Sequence, residues 1–414
     1  MMNLEFIVLA VLVMTALNVL MVLLTVGVKA ARAARLAWYR RHFKRIGPTL
    51  DNYVITGEDQ PELDALRPWQ RDLFASRLIA ERVVLVRGSG KAYLMRLADR
   101  LGLIDRYLEE LGSRRRWRRA RAAEYLGYFG GERSVGPLGR LLTDPDETVR
   151  AVAARALARI GTPEAARPLA ATLDDPSELT RLRVAENLER IGHPAVKPLV
   201  EVMERARKSQ DNRKQYGLIP AAQVLGNLRA QEARSALGYV ALMDKDANLR
   251  AQATLALGKI GDPEDVPKLL VAAEDKEWPV RAQAANALGM IGEISTIPTL
   301  QRLTTDHEWW VRLNASRSLA NMGPAGERAL AELLESEDHY ARDRAAATLE
   351  EQGIIWRMVE ELVATGERGE RARTVIRAMV RAGAIWYLER LARTFPDEAV
   401  RGALRSTMVE ARDF

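Results

Sequence analysis

Four stretches, VRAVAARALARIG at 149–161, LRAQATLALGKIG at 249–261, VRAQAANALGMIG at 280–292 and VRLNASRSLANMG at 311–323, are versions of one segment. In each, apolar residues recur at i, i+3, i+4 and i+7, the spacing of one helix face, and a Gly closes the segment where a helix would stop. Small Ala positions let a neighbouring helix come close. Gly130, Gly161, Gly192, Arg229, Gly261, Gly292, Gly323, Gly353 and Gly383 hold the same register, at intervals of 30 to 37 residues that centre on 31. A period of that length marks an array in which each unit covers the apolar face of the next. A second helix follows in each unit, as in PEAARPLAATL (163–173), PEDVPKLLVAA (263–273) and ISTIPTLQRL (294–303), with Pro137, Pro168, Pro198, Pro267 and Pro298 near its start. There a missing N–H is tolerated. No alternating strand pattern competes, so the expected fold is all-α: a solenoid of about nine helix pairs over residues 113–414.

These units resemble the HEAT repeats, in the short bacterial form shared with the HEAT-like repeats of phycobilin lyases. The resemblance implies an Asp six residues before an Arg at the second helix, and the pair recurs as Asp144/Arg150, Asp175/Arg181, Asp244/Arg250, Asp275/Arg281 and Asp306/Arg312. Ser336 stands in the Asp position before Arg342. A carboxylate at such a turn is suited to cap the following helix and to accept from a guanidinium, tying neighbouring units, which is a structural role. The resemblance runs from about residue 114 to the end, because PDEAVR at 396–401 repeats PDETVR at 145–150. A repeat fold of this kind carries many functions and does not choose among them.

Outside the array, residues 6–28 form a run of 23 uncharged residues, long enough to cross a hydrocarbon core as a helix. The leader MMNLEF has an acid and no Lys or Arg, which argues for a retained anchor over a cleaved signal peptide. Behind the run stand seven cations and no acid, Lys29, Arg32, Arg35, Arg40, Arg41, Lys44 and Arg45, with Trp38 and Tyr39 among them as candidate interface residues. By the positive-inside rule the rest of the chain is then cytoplasmic, at a bacterial inner membrane. The expected organisation is an anchor at 1–28, a basic juxtamembrane helix at 29–48, a linker and helical cap at 49–112 with helices near 68–86, 91–101 and 103–111, and the array from 113. The inserted MERARKSQDNRKQ at 203–215 reads as a lengthened helix or a protruding loop.

Composition narrows the chemistry. The net charge is +7, yet residues beyond 48 hold 55 cations against 54 anions, so the excess belongs to the membrane-proximal segment. With no Cys, disulfides, thiolate metal sites and cysteine nucleophiles are excluded. VVLVRGSGKAY at 83–93 imitates a phosphate loop, but Leu85 and Ala92 occupy the required Gly and hydroxyl positions, and Gly88-Ser89-Gly90 reads as a turn between helices. Four scattered His and sequence-adjacent acids such as Glu360/Glu361 give no catalytic, metal or cofactor site, so no enzyme activity is expected.

Two clusters remain as candidate partner-binding residues. Arg114, Arg115, Arg116, Arg118, Arg119 and Arg121 surround Trp117, a set suited to phosphates and bases, to an acidic partner, or to an ordinary solvated helix face. Without them the remaining array is net negative, which disfavours nucleic acid. Trp278, Trp309 and Tyr340 recur at 31-residue intervals, with Trp310 beside the second, beside Arg281, Arg312 and Arg342. Equal register on successive units places such rings along one edge, where partner contact competes with core packing as the explanation. The reading that follows is a membrane-anchored scaffold for a protein partner, for which a membrane enzyme such as a glycosyltransferase is a loose analogy. A bilin-lyase-like enzyme or chaperone is the alternative, and a nucleic-acid-binding solenoid the third.

Overall fold

The computed structural model describes residues 4–71, 76–208 and 216–412, and every regular element among them is helical. The chain divides into two compact units, Met1–Ile160 and Gly161–Phe414.

In the first unit, α1 runs without interruption from Leu4 to Thr56, 53 residues with Pro48 inside. At 1.5 Å per residue that is about 80 Å, more than twice a hydrocarbon core. Its stretch Leu12–Ala31 is apolar and long enough to cross a membrane by length and composition, and no side chain there is covered by protein. The lower end is different: Ile46, Leu50 and Tyr53 are buried, and Asp51 accepts both Nε and Nη2 of Arg82 at 2.6 and 3.1 Å. The stretch expected as a linker from residue 49 is therefore helix up to Thr56, because its apolar positions at 46, 50 and 53 continue the helical spacing and find a surface to cover.

That surface is the cap: α2 (Pro61–Asp64), α3 (Pro68–Gln70), α4 (Ser76–Leu85), α5 (Ser89–Arg100) and α6 (Leu103–Glu110). The single helix expected near 68–86 is thus at least two elements, with residues 72–75 outside those described. VVLV at 83–86, the would-be strand of a phosphate loop, is the end of α4 and its exit, and Gly88 caps α5 at φ 63°. Ile79, Leu94, Leu97 and Tyr107 fill the cap core. Tyr107 stacks on Tyr125 at 5.0 Å and so joins the cap to α7 (Arg116–Phe129). After it come α8 (Val135–Arg140) and α9 (Glu147–Ile160).

The helices of the second unit begin with α10 (Pro163–Thr172), α11 (Glu178–Ile191), α12 (Val196–Lys208), α13 (Leu218–Asn227), α14 (Arg234–Met243), α15 (Ala247–Ile260), α16 (Val266–Ala272), α17 (Trp278–Ile291) and α18 (Ile297–Leu303). Beyond them lie α19 (Trp309–Asn321), α20 (Gly323–Leu333), α21 (His339–Glu351), α22 (Ile354–Glu361), α23 (Glu367–Arg381), α24 (Trp386–Thr394) and α25 (Glu398–Arg412). Shorter and longer helices alternate except at α12 to α14, which have 13, 10 and 10 residues. The helices α11, α13, α15, α17, α19 and α21 place one Leu in the same fully buried position, Leu188, Leu225, Leu257, Leu288, Leu319 and Leu349, and Met379 takes it in α23. The insertion after 202 lengthens α12 as far as Lys208, and its remainder at 209–215 lies outside the described residues.

The Gly register is a register of backbone conformation. Gly161, Gly192, Gly261, Gly292, Gly323, Gly353 and Gly383 all have φ between 66° and 79°, and Arg229, the odd member, is the one non-Gly residue with positive φ among those described, at 51°. This left-handed residue ends each long helix. The first member departs: Gly130 has φ −74° and the neighbouring Gly131 takes the turn at 56°. Short helices start with a Pro in their first turn at Pro137, Pro198, Pro267 and Pro298, whereas Pro168 is the sixth residue of α10, which already opens at Pro163.

Candidate partner-binding edge

The turns before α9, α11, α15, α17, α19 and α21 share one device, so the Asp/Arg pairs stand at the first, longer helix of a unit and not at the second. Asp275 Oδ1 accepts the backbone N–H of Glu277 at 2.9 Å, fixing the residue that caps α17. The same carboxylate receives Nε and Nη2 of Arg250, both at 2.8 Å, from the preceding unit. Arg281 grips Asp306 in the same way at 2.7 and 2.9 Å, and in the first unit Arg119 grips Asp144 at 2.7 and 2.9 Å. The six-residue Asp/Arg pairs are accordingly not ion pairs in themselves. Within a pair the Arg gives Nη1 to the Asp backbone carbonyl, as in Arg150 to Asp144 (2.8 Å), Arg181 to Asp175 (2.7 Å), Arg250 to Asp244 (2.9 Å), Arg281 to Asp275 (2.9 Å) and Arg312 to Asp306 (2.7 Å). In Arg250 and Arg281 the remaining fork goes to the carboxylate 25 residues on, so each of these two guanidinium groups links two turns, whereas Arg150 and Arg181 meet no such carboxylate among the described residues.

Burial pushes the carboxyls of Asp144, Asp275 and Asp306 up, but the arginine fork and the backbone N–H two residues on more than reverse this and hold each below its ordinary value. Arg119, Arg250 and Arg281 are raised in turn, first through the hydrogen bond to the carboxylate.

The consecutive rungs of Arg250 and Arg281 end at Ser336. Its hydroxyl still accepts the N–H of Asp338 at 3.2 Å, so the turn survives, and Asp338 caps α21. A hydroxyl offers no bidentate acceptor to a guanidinium. Arg312 keeps its carbonyl contacts to Asp306 and His307 at 2.7 and 2.9 Å, and lies over the Tyr340 ring at 4.8 Å. Its Nε and Nη2 meet no acceptor among the described residues.

Along this edge stand the aromatic residues. Trp278 and Trp309 are the first residues of α17 and α19, and Trp309 meets Trp310 edge to face at 4.7 Å. Trp278, Trp309, Trp310 and Tyr340 are 38%, 47%, 53% and 55% exposed, so much of each ring is left in contact with water. The register needs one correction: α21 opens at His339, and Tyr340 therefore aligns with Trp310, not with Trp309. The repeat is one residue shorter there, so a constant interval of 31 slips by one position.

The Arg cluster is divided by the fold. Arg119 is the first rung of the ladder, its side chain only 14% exposed. Arg121 pairs with Glu110 at 2.9 Å and Arg116 with Asp146 at 3.1 Å. Arg114, Arg115 and Arg118 are exposed and make no ion pair among the described residues, while Trp117, also exposed, lies between Arg118 and Arg121 at 5.3 and 5.5 Å. Of the membrane-proximal residues Lys29 is exposed, and the side chains of Arg32, Arg35, Trp38, Tyr39, Arg40, Arg41, Lys44 and Arg45 lie outside those described.

Sequence reading passed over Trp356 and Trp386, exposed in the first turns of α22 and α24. Their separation of 30 residues, one repeat, was the available signal.

Turn ladder, left-handed helix ends and buried Leu register define the class: an α-solenoid of short helix pairs. The profile of the HEAT repeats matches residues 104–189, 203–278 and 266–350, more than half of the chain, and the protein belongs to the HEAT-repeat family. Solved structures resemble it at the level of fold. The Escherichia coli protein YibA is 23% identical, with 58% of this chain and 91% of that chain covered and a TM-score of 0.38. The CpcE–CpcF complex of phycocyanin lyase from Nostoc is 19% identical over 60% of this chain and 94% of that one, TM-score 0.29. Kap121p bound to RanGTP is 16% identical over 87% of this chain, which spans 48% of Kap121p, TM-score 0.45. No curated relative matches.

Proposed function

We propose that the chain is a membrane-tethered scaffold that acts by binding and not by catalysis, and that it takes a protein partner on the edge formed by Trp278, Trp309, Trp310 and Tyr340. The observation that carries this reading is the exposure of four large rings at successive helix starts. Rings of this size contribute strongly when a partner covers them and are typical anchors of protein interfaces. The apolar stretch of α1 supplies the tether. We further propose that it spans the bacterial inner membrane once, with residues 1–28 as anchor, 29–48 as basic juxtamembrane segment, 49–112 as cap and the repeats cytoplasmic, because the seven cations behind the span favour that side. Confinement to the membrane raises the effective concentration of the edge toward another membrane protein, so a membrane enzyme is the favoured class of partner.

The test is a photo-crosslinking amino acid placed at Trp309 in the full chain, in cells. A discrete crosslinked protein is expected from position 309 and none from the equivalent first-turn position Ala247. Trp309→Ala should reduce recovery of that protein at least tenfold with the circular dichroism spectrum and melting temperature unchanged. Equal crosslinking at both positions, or a large loss of thermal stability in Trp309→Ala, removes the edge as the binding site.

A further inference from the structure

We infer that the break in the arginine ladder is a receptor for one carboxylate of the partner, so that the edge recognises a segment with a single Asp or Glu side chain between apolar or basic neighbours. This rests on the scaffold reading and specifies its ligand. In the intact rungs the guanidinium is held by its Nη1 on two carbonyls of its own turn and spends Nε and Nη2 on the next carboxylate. Arg312 is held the same way, on Asp306 and His307, and the Tyr340 ring covers one face of its plane. The fork is therefore oriented, and its two outward N–H groups have no acceptor among the described residues. Arg342 repeats the arrangement one unit on, with Nη1 on the carbonyls of Ser336 and Glu337 at 2.6 and 3.0 Å and no carboxylate. A preorganised fork favours a bidentate carboxylate over a point contact.

The neighbourhood selects against longer anions. Glu308 and Asp338 stand at the N-cap positions of the two helices beside the fork, and Glu335 and Glu337 flank Ser336 in the turn. A polyphosphate backbone would meet these acids, whereas one carboxylate between neutral or basic residues meets the fork alone. Trp309, Trp310 and Tyr340 then cover the apolar neighbours of that acid.

Ser336→Asp is the decisive variant, since it restores the internal rung. The probe is a synthetic array of 12-residue peptides, amidated at the C-terminus, each with one central Glu among Leu, Ile, Phe and Lys, and a matched array with Gln at the centre. Binding is read by fluorescence anisotropy against the full chain in detergent micelles. The expected result is that the best Glu peptides bind at least tenfold tighter than their Gln counterparts, and that Ser336→Asp abolishes this preference while raising the melting temperature. Should Ser336→Asp fail to fold, Arg312→Lys keeps the charge without the fork and is expected to lose the preference at unchanged helix content. Equal binding of Glu and Gln peptides, no binding by either, or an undiminished preference in the folded variants overturns the receptor. A crosslinked partner at position 309 without Glu preference would leave the scaffold standing and remove only this assignment.

Discussion

At the scale of single residues, Arg229 and Asp275 show how a repeat tolerates exceptions. Arg229 occupies a position that its eight counterparts fill with Gly, seven of them at positive φ, and it pays for the left-handed turn with a Cβ too close to its own carbonyl. Its N–H still bonds Gly226, and the N–H of Ala230 reaches Leu225 at 3.1 Å, the same pair of bonds that closes α23 at Gly383 and Ala384. Arg229→Gly relieves a cost of about 1–2 kcal/mol and returns about 0.5–1 kcal/mol in chain entropy. A net gain of about 0.5–1 kcal/mol is expected, read as a higher melting temperature with an unaltered spectrum. Asp275 is the opposite case, a residue whose charge is used twice. Asp275→Asn removes a charge-assisted pair and should lower stability by about 1.5–3 kcal/mol at pH 7. The sign with pH follows from the lowered carboxyl: the folded chain binds that proton less readily than the unfolded chain, so the contribution is present above the ordinary carboxylate value of about 4 and is lost as pH falls through the folded value. Melting temperatures of wild type and Asp275→Asn should therefore converge below about pH 4. A constant difference down to pH 2 would assign the effect to packing.

At the scale of elements, the long helices approach one another through a notch that the sequence displayed and periodicity alone did not explain. A Cβ on Gly258 of α15 would lie 2.5 Å from both Cα and Cβ of Ala287 in α17, and Gly226 meets Ala256, and Gly127 meets Ala156, in the same way at 2.6–2.9 Å. An interior helix Gly costs about 1 kcal/mol against Ala on propensity alone, so its repetition calls for a packing reason. Gly258→Ala is expected to destabilise by about 1–3 kcal/mol despite the better helix former, because the pair of helices must separate. A rise in melting temperature would show the notch to be slack. Helix existence, the closing Gly and the buried Leu were legible because each depends on local spacing. Two things were not. The carboxylate gripped by Arg250, and likewise that gripped by Arg281, lies 25 residues away in the next turn, which no local pattern reveals, and Tyr340 slipped by one position because a constant period hides a unit one residue shorter. The same limit applied to Arg119: its distance of 31 residues from Arg150 marked it as a ladder residue, but the surrounding arginines disguised it as surface charge.

At the scale of the whole molecule, the charge and the first helix make one argument about where the repeats work. The seven cations behind the apolar run equal the whole net charge of +7, so the array has no general attraction for polyanions, and under the proposed tether the excess would act at the membrane surface. α1 is continuous from its apolar stretch to Thr56, with about 20 Å of helix between Ala31 and the first buried residue, Ile46, so under the proposed tether helix alone would join the cap to the bilayer. This makes topology measurable without background, because the chain has no Cys of its own. Single substitutions Leu23→Cys, Ala37→Cys and Ile55→Cys can be labelled with a membrane-impermeant maleimide in inverted and in right-side-out vesicles. Positions 37 and 55 are expected to react only in inverted vesicles, as the cations dictate, and position 23 in neither. A cleaved leader would show itself as a shortened chain released by alkaline carbonate, and labelling of position 55 from the outside would reverse the orientation. Either result would separate the exposed aromatic edge from any cytoplasmic partner and withdraw the tether on which the scaffold depends.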